Sequence, residues 1–324
     1  MTGTILLIGG TGKTGLPLAH LLDKANYPFL VATREPAKVP APFKSVSFDW
    51  LDASTFMNPF KVNPGIDRVY LISPAVHDVL PIVKPFVELA IQEGVKRFVL
   101  LSSTPTPKRG PYLGKIHEYL EGRDIDYAVL RPTWFIENFG PLFLRNILVD
   151  NAVFSTTKDG RDPFVSVDDI AKVAFKALTY EKSRNTEHTI VGPELYTYDE
   201  VFFSRRNITH KRLTQEDGKA FWLGFGLPED YALAMIGMED LIPVRDEEAH
   251  FHAKVKEVGN RRLKDLLQGQ PRPVDSEVKC TLEMNNHPID EEPSRHRKDH
   301  GKDTITPSAR PETRPYIRFD AEGP

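Results

Sequence analysis

The sequence predicts an α/β protein built on a Rossmann-type doubly wound parallel sheet. Three observations predict it: a glycine-rich turn directly behind the first apolar run, apolar runs too continuous for a sheet wetted on one face, and amphipathic stretches between them. The runs are TILLI (4–8), PFLVAT (28–33), SVSF (45–48), RVYLIS (68–73), RFVLLS (97–102) and DYAVLR (126–131). Unbroken Val, Ile and Leu suit strands covered by helices on both faces.

Two helices are expected between these strands. GLPLAHLLDKA begins at Gly15 and brings Leu18, Leu21 and Leu22 to helical spacing. DVLPIVKPFVELAIQEG begins at Asp78, sets Val83, Val87 and Ala90 on one face, and meets a stop at Gly94. Pro81 is tolerated in a first turn, whereas Pro85 is expected to bend the helix.

The rhythm changes near residue 151. DPFVSVDDIAKVAFKAL suggests a short strand followed by a helix capped by Asp168 or Asp169. HTIVG, TYDEV and ITHKRLT suggest strand, helix and strand. The expected organisation is a Rossmann domain over 1–150, a smaller α/β substrate lobe over 151–268, and a disordered charged tail over 269–324. The tail is rich in proline and charge and has too little apolar surface to offset its ordering entropy.

Composition bounds the function. With 324 residues, 40% hydrophobic and 27% charged, the balance is that of a globular protein. A net charge of -3 gives no field suited to nucleic acid or an anionic membrane surface. No apolar run reaches the roughly 20 residues that span a bilayer. The N-terminal apolar run lacks the basic flank of a secretion signal. The single cysteine, Cys280, cannot form an internal disulfide, so the cytoplasm is the expected compartment. No His, Cys or Glu cluster has metal-ligand spacing.

The first run leads straight into Gly9-Gly10-Thr11-Gly12-Lys13-Thr14-Gly15. In the Rossmann turn the first glycine permits the tight bend, the second lets the backbone approach a pyrophosphate, and the third lets helix pack on strand. Gly9, Gly12 and Gly15 take these places, and the helix N-terminus offers free N–H groups to phosphate. Residues 12–14, GKT, also spell the end of a P-loop. That motif needs a glycine five positions before Gly12, where Leu7 stands inside the strand.

The second strand ends at Thr33-Arg34. An NAD site calls for an acid near here, whereas an Arg pairs with a 2′-phosphate. Arg34 therefore points to NADPH over NADH, with Lys13 as a second charge. Asp49 either accepts from the adenine amine or serves as a loop or cap residue. Ser73, Ser102 and Pro132, at the ends of later strands, complete the expected cofactor contacts. Trp134, Phe135 and Phe139 follow the sixth strand, where they either face substrate or belong to the core.

The strings GGTGKTG, RFVLLSS, GKIHEYL, YAVLRPTWFIENF, DPFVSVDDIAKVAFKAL, VGPELYTYDEV and ITHKRLT resemble the NmrA-like atypical short-chain dehydrogenases. Within that group they are most similar to the fungal festuclavine and agroclavine dehydrogenases of ergot alkaloid biosynthesis. The resemblance runs to about residue 260. It implies a nicotinamide cofactor and a clavine-type iminium substrate made from chanoclavine-I aldehyde. Two places depart from it: Val201-Phe202-Phe203-Ser204-Arg205-Arg206 runs almost straight into Asn207-Ile208-Thr209-His210, about two helical turns short, and the charged tail is additional.

Short-chain dehydrogenases usually carry Tyr-x-x-x-Lys, in which the Tyr donates a proton and the Lys lowers its pKa. Tyr112 and Lys115 stand one residue too close for that pattern. An iminium needs no such donor, because hydride converts it directly to a neutral amine. Tyr112 and Lys115 remain the candidate catalytic residues. Lys115 lies about where related reductases keep a ribose-binding Lys, and His117 is a weaker candidate. The expected activity is NAD(P)H-dependent reduction of the iminium C=N bond of an alkaloid. Open alternatives are a quinone or carbonyl reductase and a dinucleotide-sensing regulator acting on a partner protein.

Overall fold

The computed structural model describes residues 3–76, 78–140, 142–183, 185–202, 208–244 and 246–263. In chain order these residues form β1 (Thr4–Ile8), α1 (Gly15–Lys24), β2 (Phe29–Thr33), β3 (Ser45–Ser47), α2 (Asn58–Val62), β4 (Ile66–Leu71) and α3 (Leu80–Gln92). Then come β5 (Arg97–Leu101), α4 (Leu113–Glu121), β6 (Asp126–Pro132), α5 (Leu144–Val149), β7 (Ala152–Ser155) and α6 (Val167–Thr179). The last described elements are β8 (Thr186–Val191), α7 (Tyr198–Phe202), β9 (Thr209–Arg212), α8 (Gln215–Leu223), α9 (Glu229–Glu239), α10 (Asp246–His252) and β10 (Glu257–Val258). The expected tail at 269–324 lies outside the described residues.

Eight strands form one sheet in the order β10-β8-β6-β5-β4-β1-β2-β3, and every pair in it is parallel. The strand order reverses at β1, whose neighbours are β2 and β4. Such a reversal opens a crevice at the carboxyl ends of the strands.

Burial on both faces explains the unbroken apolar runs. Ile5 and Leu7 face α1 and α6, against Leu18, Leu22, Ile170 and Ala174. Leu6 and Ile8 face the other way, toward α3 and α4, against Val83, Phe86, Val87 and Leu120. The expected α3 face is buried, and Pro85 lies inside the helix while Pro81 sits in its first turn. Two buried arginines tie the end of α6 to the sheet. Arg68 donates to the Leu178 carbonyl, and Arg97 donates to those of Ala177 and Tyr180. These are carbonyls that a helix end leaves without partners.

Three local readings are corrected. The cap of α6 is Ser166, which accepts from the Asp168 amide, rather than Asp168 or Asp169. Both aspartates lie in the first turn, where the helix dipole favours them. DPFV makes single bridges to Tyr196 and Phe135 rather than a strand. HTIVG is a strand of the main sheet, β8 beside β6, and only β9 pairs with β7 in a separate two-stranded sheet. Ile190 and Val191 are fully buried in β8, so tertiary packing decided which sheet received it.

Candidate functional site

The turn between β1 and α1 is shaped around its glycines. Gly9 has φ +74°, a conformation that costs other residues a steric penalty. The Gly12 amide donates to the Gly9 carbonyl at 2.9 Å and closes the turn. A Cβ on Gly15 would lie 2.3 Å from the Gly9 oxygen and 2.7 Å from Gly10 Cα, so this glycine lets the helix touch the strand. A Cβ on Gly10 would stand 2.9 Å from Val31. Gly12 differs. It is exposed, and its Cβ would meet only the Gly9 oxygen, at 3.1 Å, so space lies open on its outer side.

Thr14 precedes α1 but does not cap it with its side chain. Its buried hydroxyl instead accepts from the Tyr70 hydroxyl at 3.0 Å. The Leu16 amide donates to the Gly12 carbonyl at 3.0 Å and Pro17 has no N–H, so a phosphate here would rely on the amides of the glycine turn before the helix. Thr11 and Lys13 are exposed beside Gly12. The Lys13 ammonium donates to Asn138 Oδ1 at 2.6 Å, and surrounding protein lowers its pKa against the opposing charge of Glu137.

Glu137 and Asn138 lie in a short 3-10 turn, Ile136–Phe139, after β6. Glu137 accepts from the Ser166 hydroxyl at 2.8 Å and the Val167 amide at 3.0 Å, and so anchors the start of α6. Burial raises its pKa. Sequence reasoning missed both residues. Their signal was the IEN string, whose partners lie far away in the chain.

Arg34 is exposed just beyond β2 and forms no ion pair among the described residues. Glu35, next to it, pairs with Lys38 at 3.4 Å. Asp49 is half-buried and accepts from the Leu51 amide at 3.0 Å, which makes it a turn residue with its second oxygen to spare. Ser73 lies half-buried beyond β4. Ser102 is buried, and its hydroxyl bonds that of Thr106 at 2.8 Å. The Pro132 carbonyl accepts from the Thr104 amide, joining the ends of β5 and β6.

The Lys115 amide donates to the Tyr112 carbonyl at 3.1 Å, but the two side chains take different partners. Tyr112 has φ +55°, and its hydroxyl donates to the Asp230 carbonyl at the start of α9, at 3.4 Å. Partial burial raises its pKa. Lys115 is exposed and pairs with Asp78 at 3.2 Å. His117 is buried with Nδ1 3.8 Å from Glu187, and burial lowers its pKa. Trp134 and Phe135 are half-buried, whereas Phe139 is interior and packs on Phe143, Phe164 and Tyr198.

A family model described as NAD(P)H-binding matches residues 9–181. An agroclavine dehydrogenase from Claviceps fusiformis is 40% identical over 83% of this chain and 94% of its own. Festuclavine synthase II from Penicillium roqueforti is 40% identical over 82% of this chain and 97% of its own. The chain belongs to the clavine dehydrogenase family. Festuclavine dehydrogenase from Aspergillus fumigatus, another member, is 38% identical over 79% of this chain and 93% of its own.

Solved structures agree on the fold. An NADPH-dependent quinone oxidoreductase from Escherichia coli superposes with TM-score 0.63 at 20% identity, over 82% of this chain and 98% of its own. A Citrobacter triphenylmethane reductase solved with NADP(H) gives TM-score 0.60 at 20% identity, over 86% of this chain and 99% of its own. The NAD(P)H-binding family match and the clavine dehydrogenase relatives make this chain an NAD(P)H-dependent oxidoreductase. Among the described residues no group of His, Cys, Asp and Glu is placed to hold a metal, and no helix is long and apolar enough to cross a membrane.

Proposed function

We propose that this protein reduces the C=N bond of a clavine-type iminium, with NADPH favoured as the hydride source. The observation that carries the reading is that the Tyr112 hydroxyl and the Lys115 ammonium hold different partners, beside a dinucleotide turn that keeps all its glycines. A carbonyl reductase must deliver a proton to oxygen, and general acids contribute about 10² to 10⁴ in rate. An iminium carries its positive charge already, so the step needs only orientation of the two reactants. Curated relatives named for agroclavine and festuclavine support the substrate class.

The residues divide the work. The Gly12 opening and the amides of the glycine turn hold the pyrophosphate. Arg34 meets a 2′-phosphate, and Lys13 adds charge near the turn. The half-buried Trp134 and Phe135 supply aromatic faces that tolerate a cation. A bound nicotinamide supplies the hydride.

The test is NADPH oxidation with the iminium formed from chanoclavine-I aldehyde, beside the same assay with a simple quinone. Faster turnover of the iminium is expected. Preference for the quinone overturns the reading. Tight NADPH binding with no turnover of either favours a regulator acting on a partner protein.

A further inference from the structure

A second group of polar side chains lies wholly inside the protein. Asp162, Tyr198 and Glu239 are each at most 1% exposed. Asp162 Oδ1, the Tyr198 hydroxyl and Glu239 Oε1 have no hydrogen-bond partner among the described residues. Buried polar atoms left so are rare and mark an absent partner. Glu239 is fixed by its other oxygen, which accepts from the Thr156 amide at 2.9 Å and its hydroxyl at 2.8 Å. Asp162 accepts from the Trp134 amide and lies in the field of Glu247, whose Oε1 takes a bond from the Thr104 hydroxyl at 2.6 Å. Tyr198 lies in the field of both Asp162 and Glu239.

The group has a sign and a place. Glu247 acts on Asp162 and Asp240 on Glu239, and among the described residues no basic side chain is among the charges that shift either carboxyl. Aromatic rings close the space around Tyr198: Phe139 at 5.4 Å, Phe164 at 5.6 Å and His210 at 5.3 Å between ring centres. Thr104 follows β5 and Trp134 follows β6, at the carboxyl ends of the sheet where ligands of this fold bind. We propose that Asp162, with Tyr198 and Glu239, forms the subsite that holds the positively charged nitrogen of the substrate.

This rests on the reading of the substrate as a cationic alkaloid. A neutral or anionic ligand would leave the carboxyls without a counter-charge, whereas a cation meets them and the aromatic faces together. Burial and the Glu247 charge push the Asp162 carboxyl well up from the usual carboxylate range, which favours its protonated form. Arrival of the cation reverses this preference and releases the proton. The positive charge on substrate shrinks during hydride transfer, so the carboxylate stabilises the bound state more than the transition state. Its loss therefore falls on KM rather than kcat.

Calorimetry of the NADP⁺-loaded protein with agroclavine, in two buffers of different protonation enthalpy, tests the site. Agroclavine should bind with release of a proton, and its neutral N-acyl analogue about tenfold or more weakly without release. Asp162→Asn should reduce the release, raise KM about tenfold, leave kcat within a few-fold, and keep the melting temperature. Tyr198→Phe, which keeps the ring packing, serves as the second variant and should weaken the cation several-fold. Equal affinity for the neutral analogue, unchanged proton release in both variants, or no binding of agroclavine overturns the site. Iminium turnover with an unchanged KM in both variants overturns it while leaving the reductase reading intact. Cation-selective binding without turnover does the reverse.

Discussion

The cofactor cradle and the buried acid group are built in opposite ways. The cofactor cradle comes from seven consecutive residues, 9–15, whose shape follows from a strand, three glycine spacings and a helix start. The acid group draws Thr104, Asp162, Tyr198, Glu239 and Glu247 from five separate segments, and one of its bonds joins residues 143 positions apart. The cradle leaves backbone N–H groups open toward solvent. Asp162, Tyr198 and Glu239 leave side-chain oxygens in the interior with no hydrogen-bond partner among the described residues. A locally encoded site suits a cofactor common to many enzymes, and a site assembled at long range suits a substrate that few share.

The largest effects should separate structure from binding inside the cradle. Gly12→Val should weaken NADPH by more than about a hundredfold, since the new side chain fills the space meant for the pyrophosphate. The melting temperature should hardly change, because the added Cβ meets only one backbone oxygen. Gly15→Val should instead lower stability by about 3 kcal/mol or more, because its Cβ collides with the turn itself. Thermal unfolding and cofactor titration of both variants check this. A similar loss of stability in both would mean that Gly12 is structural.

The acid group should be visible in the pH dependence of stability. Burial pushes Glu239 up to about 7, so the folded state holds its proton more tightly than the unfolded chain. Stability from this group is present below about pH 4.5 and lost as pH rises toward 7. Burial holds His210 down to about 4, so its stability is present above pH 6.5 and lost as pH falls toward 4. Relative to the wild type, Glu239→Gln should gain stability as pH rises from 4.5 to 7, by up to about 3 kcal/mol. His210→Asn should gain relative stability in the opposite direction, as pH falls. Urea unfolding at several pH values measures both. A flat difference for Glu239→Gln would show that its carboxyl titrates normally.

Arg34 gives a smaller effect at the cradle's edge. The wild type should favour NADPH over NADH by about tenfold, near the 1.4 kcal/mol of one charged contact. Arg34→Ala should remove most of this preference. Equal affinities of the wild type for both cofactors would break the assignment and turn attention to Glu35 beside it.

Tyr112→Phe is the mildest test. With the hydroxyl donating to the Asp230 carbonyl and Lys115 held by Asp78, turnover should fall only a few-fold. A thousandfold drop with cofactor still bound would make Tyr112 a proton donor and favour a carbonyl substrate.

By itself the sequence determined the parallel sheet, the glycine turn and the buried face of α3. Each rests on a pattern within one or two elements: unbroken apolar strands, fixed glycine spacing, and helical repeats such as Val83, Val87 and Ala90. It also carried the family, through strings spread along the chain. Tertiary structure alone decided the rest. It placed β8 beside β6 in the main sheet, where Ile190 joins the apolar face packed on α6. It moved Phe139 into the interior, tied Glu137 to the start of α6, and sent Tyr112 and Lys115 to different partners. It also buried the carboxyl of Asp162, the first residue of the string read as a short strand. Backbone preference and hydrophobic period act over a few residues, whereas a side chain's partner and its desolvation depend on segments that only the folded chain brings together.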